Sequence, residues 1–356
     1  MENYDWQDSL YFKWRDNGYQ GVLRGVTAAG KTQAGLTILS LYQADHPHAK
    51  ALVLSPFQDL NNQWIQSLEQ SGLNADVKGY QKALSDYRRG KSERYDICIA
   101  DECQALCTDV QGQLIKEKHL PNHIIGMSAT PKESVDFLGG VIEDINYDRA
   151  NVSPFSVHYI RFPMSPSEEA SYQKWSDKMR AQSDKTGAFR PGMDKLYDFF
   201  TMKRRDCVYR FSSRLPIAME IIKENAHRRM MIFCERTEQV EQMSKQMSDA
   251  GIPNCKQVGY RKELHTFTAK EVNAILSVKM LQVGFNDPDT EVGIIVSTAT
   301  TAQNHIQTIG RVIRAKEGKH ADIYVLLAKG TTDENLIKEV KFPKEYKVTV
   351  EEWNNH

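Results

Sequence analysis

Residues 25–32 read Gly-Val-Thr-Ala-Ala-Gly-Lys-Thr, a GxxxxGK[ST] spacing suited to gripping a chain of phosphates. In such a loop small residues let backbone N–H groups close on phosphate oxygens, which makes Gly25, Thr27, Ala28, Ala29 and Gly30 candidate contacts. A helix starting there adds the positive end of its dipole. Lys31 is placed to neutralise the β- and γ-phosphates, and the Thr32 hydroxyl to ligate Mg²⁺. Further on, Asp101-Glu102 close an apolar run. Asp101 suits Mg²⁺, directly or through water, and Glu102 suits positioning and deprotonating an attacking water. Near the other end, Gln307, Arg311 and Arg314 stand at offsets that return to one side of a helix. Two guanidinium groups so placed suit the charge that develops on a transferring γ-phosphate. The chemistry implied is hydrolysis of a nucleoside triphosphate with Mg²⁺.

These groups need a scaffold that delivers each to one place, and the pattern supplies it. Short apolar runs alternate with helix-period segments, as in an α/β fold of parallel strands. The runs after Gly21 and at 51–54, 97–100 and 124–127 read as buried strands, each followed directly by a motif. Open α/β sheets bind their ligands at those strand ends. A second series follows at 230–234, 274–278, 292–296 and 323–327, with a helix over 238–250 closed by Gly251. A polar stretch punctuated by Pro163, Pro166 and Pro191-Gly192 separates the series, with a helix over 167–182 and a mobile loop expected over 183–192. The expected domains are 1–155, a linker and helical insert over 156–215, a second lobe over 216–340, and a tail over 341–356.

At 356 residues the chain exceeds one typical core, and two domains are expected. Lys plus Arg and Asp plus Glu number 46 each, so net charge argues neither for nor against a polyanionic partner; a local basic cleft would suffice. Six cysteines (98, 103, 107, 207, 234 and 255) form no CxxC pair and read as reduced thiols rather than a metal site. No apolar run is long enough to span a bilayer, and the opening Met-Glu-Asn-Tyr-Asp-Trp has no signal-sequence character. A cytoplasmic monomer is the expectation.

With Ser-Ala-Thr at 128–130 and Gln-Thr-Ile-Gly-Arg-Val-Ile-Arg at 307–314 added, the set resembles superfamily 2 helicases and translocases of the DExH type. The resemblance implies two tandem RecA-like domains with a helical insert, and ATP bound in a cleft between them. Residues 25–32 correspond to motif I, 101–104 to motif II, 128–130 to motif III and 307–314 to motif VI. Leu-Ser-Pro-Phe at 54–57 with Gln63-Trp64 is similar to motif Ia and its downstream Gln-Trp. Gly-Tyr-Gln-Lys at 79–82 is similar to motif Ib, 231–234 to motif IV and 282–288 to motif V. Type III restriction subunits, XPB-like proteins, Snf-type remodellers and phage UvsW-type DNA helicases share these traits, and the compact form suggests a viral or mobile-element member.

By this resemblance Gln7 reads adenine, Gly284 lies at the nucleotide, and Gln104, Ser128, Ala129 and Thr130 couple nucleotide state to movement. Ser55, Pro56, Gly79, Tyr80 and Lys82 are implied on the nucleic-acid path, where small donors and cations hold phosphates. Gln104 stands where His is commoner, and Asn286 where Asp is usual. The reading is an ATP-dependent DNA helicase or translocase remodelling branched or duplex DNA in replication, recombination or repair. The alternatives are an RNA-dependent ATPase and the motor subunit of a restriction or defence complex that works only with a partner.

Overall fold

A computed structural model describes residues 5–108, 112–116, 119–129, 133–258, 261–278, 287–297 and 302–353. The chain forms two units that divide between Val152 and Ser153.

In the first unit, strands β1 (Gln20–Gly25), β2 (Ala51–Ser55), β3 (Asp76–Gly79), β4 (Ile97–Asp101), β5 (His123–Ser128) and β6 (Val141–Ile145) form one sheet in the order β3-β2-β4-β5-β1-β6. Every pairing is parallel. Strands β2 and β4 are buried along their whole length, which is why they read as unbroken apolar runs. Helices α1 (Asp5–Asp16), α2 (Lys31–Asp45), α3 (Gln58–Ser71), α4 (Tyr80–Arg88) and the short α5 (Gln113–Lys116) connect them. Two apolar clusters form the core. One joins Trp14, Tyr42, Trp64 and Met127; the other joins Val22, Leu54, Tyr80 and Leu106.

The second unit holds β7 (Phe155–Phe162), β8 (Met230–Cys234), β9 (Asn254–Val258), β10 (Arg261–Lys262), β11 (Ala274–Val278), β12 (Val292–Ile295), β13 (Ala321–Ala328) and β14 (Lys347–Glu352). Their order is β10-β9-β11-β8-β12-β13-β7-β14, parallel except for β10 against β9. Helices α6 (Pro166–Thr186), α7 (Lys195–Tyr209), α8 (Arg214–Glu224), α9 (Thr237–Asp249), α10 (Leu264–Thr268), α11 (Ala302–Val312) and α12 (Asn335–Glu339) complete it.

The structure redraws three stretches. Residues 156–162, expected in the linker, belong to β7, an eight-residue strand in the second sheet. The tail supplies β14, an exposed edge strand whose Glu352 meets Arg161 and Lys329. Charges along such an edge discourage pairing with other chains, and they also hide the strand from an apolar pattern. Helix α6 continues to Thr186 and ends at Gly187 with φ +70°, so the expected loop is shorter. Its start is a capping box, with Ser165 accepting from the Glu168 amide and Glu168 from the Ser165 amide.

A buried ion pair ties the second unit together. Arg214, wholly buried, meets Asp333 and also donates to the carbonyls of Val296, Leu326 and Val208. Removing one partner of such a pair costs about 3–5 kcal/mol, because the other charge stays buried and alone.

Candidate nucleotide and nucleic-acid sites

The first sheet sorts the candidate residues by strand. Strands β4, β5 and β1 are neighbours, and at their carboxyl ends stand Asp101, Ser128 and the phosphate loop after Gly25. Strands β2 and β3 are neighbours too, and end at Ser55 and Gly79. The nucleotide and nucleic-acid candidates therefore occupy two adjoining stretches of one sheet edge.

The loop turns into α2 through Ala28 at φ +68° and Gly30 at φ +83°. Left-handed backbone is cheap at Gly30 and strained at Ala28, a geometry that turns successive amides toward one point. Lys31 donates to the carbonyls of Gly25 at 2.8 Å and Val26 at 3.2 Å, so its ammonium spans the loop. Gln7, fully buried on α1, donates to the Gly30 carbonyl at 3.2 Å and braces the turn. The Thr27 hydroxyl is buried with no partner among the described residues. An unsatisfied hydroxyl, a bridging ammonium and a carboxylate at the next strand ends fit a Mg²⁺–polyphosphate.

Asp101 is held by residues far away in sequence. The Trp64 indole donates to its Oδ2 at 2.9 Å, the Glu102 amide to its Oδ1 at 3.0 Å, and the Tyr80 hydroxyl to its carbonyl at 2.8 Å. Trp64 reaches it because α2 has a glycine opposite: a Cβ on Gly35 would lie 2.7 Å from the indole ring. Burial raises the Asp101 carboxyl from 3.8 to about 6, and the charge of Glu102 adds to this, against the Trp64 bond and the charge of Lys31. The folded chain thus keeps a proton between about 4 and 6 that the unfolded chain has lost, and this group withdraws stability as pH rises through that window. Competence to hold a cation appears only as pH rises past about 6.

Two consequences can be measured. The acid limb of kcat/KM for ATP should fall near pH 6, and Trp64→Phe should move it upward, because a donor to the charged form is lost. A pH profile unchanged by the substitution would reject the holding role of Trp64.

Glu102 sits in left-handed backbone at φ +50°, at the head of a short 3-10 turn over Cys103–Cys107. Gln104 reaches back from that turn and donates to Glu102 Oε2 at 2.6 Å. An amide at this position holds the carboxylate without itself titrating, which a histidine would not do. Ser128 is buried at the end of β5 and Ala129 is half-buried. Thr130, Gly284 and Asn286, with most of the motif V stretch, lie outside the described residues. Asp287, just beyond them, is occupied by Arg229 at 2.7 Å and by the Thr290 hydroxyl at 2.7 Å.

The nucleic-acid candidates divide. Ser55 is buried, and its hydroxyl donates to Asn61 at 2.6 Å; Tyr80 is buried, and its hydroxyl is bound to Asp101. Both hydroxyls are thus engaged within the fold, and Tyr80 also forms part of the groove wall. Pro56, Gly79 and Lys82 do line an open groove of about 540 Å³, together with the exposed Phe57 and with Lys78 and Gln81. Lys82 pairs with Asp86 on the same helix, yet stays largely exposed.

In the second unit α11 carries Gln307 and Arg311, but it ends at Val312, so Arg314 lies past the helix and not on its face. The end is fixed by Lys319, whose buried ammonium donates to the carbonyls of Val312 at 2.8 Å, Arg314 at 2.6 Å and Pro288 at 3.0 Å. Ser153 donates to the Arg314 carbonyl at 3.0 Å and accepts from the Lys316 amide at 3.1 Å. Burial lowers Lys319 to about 8, and the three carbonyls, two of them at or just past the helix end, are the compensation. Arg311 is buried, which with the nearby Arg314 lowers its guanidinium to about 10; burial lowers Arg314 as well. Nε of each is buried with no partner among the described residues, and no carboxylate among them pairs with either. Two desolvated cations without counter-charge suit an anionic ligand. Trp64, Gly35 and Lys319 had no local signal of these roles, since each acts on a residue distant in sequence.

Residues 213–316 match the helicase conserved C-terminal domain, a span running from the start of α8 past Arg314. No curated protein matches the chain. Among solved structures it resembles the helicase domain of Hef from Pyrococcus furiosus, with a TM-score of 0.59 and 14% identity over 94% of this chain and 97% of that one. It resembles the ATP-dependent type ISP restriction–modification enzyme LlaBIII bound to DNA, at 0.66 and 14% over 99% of this chain and 31% of that one. It also resembles Dbp5 from S. cerevisiae bound to RNA and ADP BeF3, at 0.58 and 14% over 94% and 85%. The chain thus spans about a third of LlaBIII. At such identity the likeness is one of fold: two parallel-sheet α/β units of the RecA-like helicase kind, the second with a helicase C-terminal domain.

Proposed function

We propose that the chain is a nucleic-acid-dependent ATPase of superfamily 2 that moves on DNA and remodels branched or duplex substrates. The observation that carries the reading is the convergence of Lys31, Asp101 and Glu102 at the ends of adjoining strands, beside a groove lined by Pro56, Gly79 and Lys82. Lys31 and the loop amides hold the β- and γ-phosphates. Glu102, steadied by Gln104, takes the proton of the attacking water. Arg311 and Arg314 answer the charge that grows on the γ-phosphate. Mg²⁺, held by Thr32 and Asp101, neutralises phosphate charge when bound. Tyr80 and Trp64 connect the groove wall directly to Asp101, a physical route by which an occupant of the groove alters the nucleotide site.

DNA is preferred to RNA because Gln63-Trp64 and the 282–288 stretch resemble those of DNA motors, and one structure of the same fold, LlaBIII, is bound to DNA. The same likeness, over only 31% of LlaBIII, favours a second reading: a motor that works within a larger restriction assembly. ATP turnover measured with single-stranded, duplex, forked and four-way DNA, and with matching RNA, separates these. Forked and four-way DNA are expected to stimulate at least as well as single strands, with steep loss at higher salt. Stimulation by RNA alone would reverse the substrate assignment. Silence with every nucleic acid, relieved by a partner protein, would favour the assembly.

A further inference from the structure

Helices α6 and α7 pack against each other and are joined by a short connection over 187–194. Neither carries a motif, yet together they expose several large apolar side chains. Phe189 is 70% exposed, Phe199 42% and Met202 48%, and Met193 and Leu196 are exposed beside them. On α6, Trp175 meets Phe199 and Phe200 with ring centroids 6.4 and 6.3 Å apart. A buried cluster would fill this space with aliphatic side chains. Here the space is filled by cations.

Each ring has a positive group over it. Lys178 lies 4.9 Å from the Trp175 ring and 5.9 Å from that of Phe200, and Lys174 lies 5.5 Å from Trp175. Lys203 lies 5.4 Å from Phe199, Arg204 5.9 Å from Tyr172, and Arg190 5.7 Å from Phe189. Several acidic side chains of the hairpin are engaged locally. Glu168 is bound by Ser165 and Ser213, Asp206 by Arg236 and Arg210, Asp194 by Gln182, and Asp198 by the Gly192 amide. Lys174, Lys178 and Lys203 have no carboxylate within ion-pair distance among the described residues.

We propose that the α6–α7 hairpin is a docking platform for single-stranded nucleic acid, with Trp175, Phe199 and Phe200 stacking on bases and Lys174, Lys178 and Lys203 holding the flanking phosphates. Aromatic rings interleaved with cations are what a sequence-tolerant single-strand platform needs, since every base has a π-face and every nucleotide a phosphate. A protein partner fits less well: the centres of protein interfaces favour aromatics and Met but are depleted of Lys, and here lysines lie over the rings themselves. The platform lies apart in sequence from the groove lined by Pro56 and Gly79, so it gives the second unit a grip of its own. The proposal rests on the reading of the chain as a nucleic-acid-dependent ATPase.

The test uses the full chain, a fluorescent dT20 oligonucleotide and anisotropy titrations across a salt series. A triple variant, Lys174→Ala, Lys178→Ala and Lys203→Ala, changes exposed or half-buried positions outside the nucleotide site. It should weaken binding and lower the salt slope by about 2, at roughly 0.7 per lost single-strand phosphate contact. Phe199→Leu keeps the apolar volume but loses the ring, and should weaken binding roughly 5- to 150-fold, the equivalent of one lost base stack, with the slope unchanged. ATP turnover without nucleic acid should be unaltered in both, which also reports on folding. If the wild-type chain binds dT20 and both variants match it in affinity and slope, the platform is wrong while the ATPase reading stands. If the wild-type chain neither binds nor is stimulated by any nucleic acid, the reading of a free-standing nucleic-acid-dependent ATPase fails and the platform with it. Unchanged dT20 binding together with wild-type self-association that Phe199→Asp abolishes would give this face to a protein contact instead.

Discussion

Lys31→Ala should abolish ATP turnover and leave the fold standing. Lys31 is the only fully charged side chain in the loop of residues 25–32, and its ammonium already bridges the carbonyls of Gly25 and Val26, where a phosphate chain would have to be met. Losing a pre-positioned donor to developing anionic charge costs about 10²–10³ in kcat even when the donor is neutral, so a full charge sets a larger loss. The cost to stability is small by contrast, since position 31 opens α2 and Ala is the best helix former. Glu102→Gln makes the informative companion. It removes the proton acceptor while keeping shape and the contact with Gln104, so ATP should still bind but not turn over. Turnover within tenfold of wild type in Lys31→Ala would remove the phosphate-loop assignment, and the same result in Glu102→Gln would remove the general base.

Arg311→Met should separate activity from stability. If Arg311 acts on the γ-phosphate as proposed, its loss costs roughly 10³ or more in kcat, with smaller effect on ATP affinity. Its charge is held in place at a cost: burial lowers the guanidinium from 12.5 to about 10, and its Nε has no partner among the described residues. Because the folded pKa lies below the unfolded one, the penalty is fully present at pH 7 and fades only above about 10. A flexible apolar side chain of similar length removes that penalty and leaves no orphaned partner. The melting temperature should therefore equal or exceed that of the wild type while kcat falls. Calorimetry beside steady-state kinetics checks both halves. A variant that melts well below wild type would make Arg311 a structural residue, and one with normal kcat in the presence of DNA would remove it from the reaction.

What the sequence determined by itself was the layer plan and the positions on which the proposed chemistry rests. Phosphate binding demands small residues, one lysine and one hydroxyl within eight positions, so residues 25–32 were legible without any tertiary knowledge. Asp101 and Glu102 were legible because a parallel strand buried on both faces reads as an apolar run and places its ligands at the end. What the tertiary structure decided were the roles carried by contact between distant positions. Trp64 and Tyr80 reach Asp101 across 37 and 21 residues, and Gly35 leaves the room for the indole. The hydroxyls of Ser55 and Tyr80 are engaged by Asn61 and by the Asp101 carbonyl, since a hydroxyl's partner is set by packing and not by its neighbours in the chain. Strand β14 is mostly polar because it lies on an edge, and only its pairing with β7 reveals it as part of a sheet. Helix α11 stops at Val312 because an ammonium from position 319 folds back onto its last carbonyls. No local periodicity encodes that stop, and it alone decides that Arg311 and Arg314 do not share a helical face.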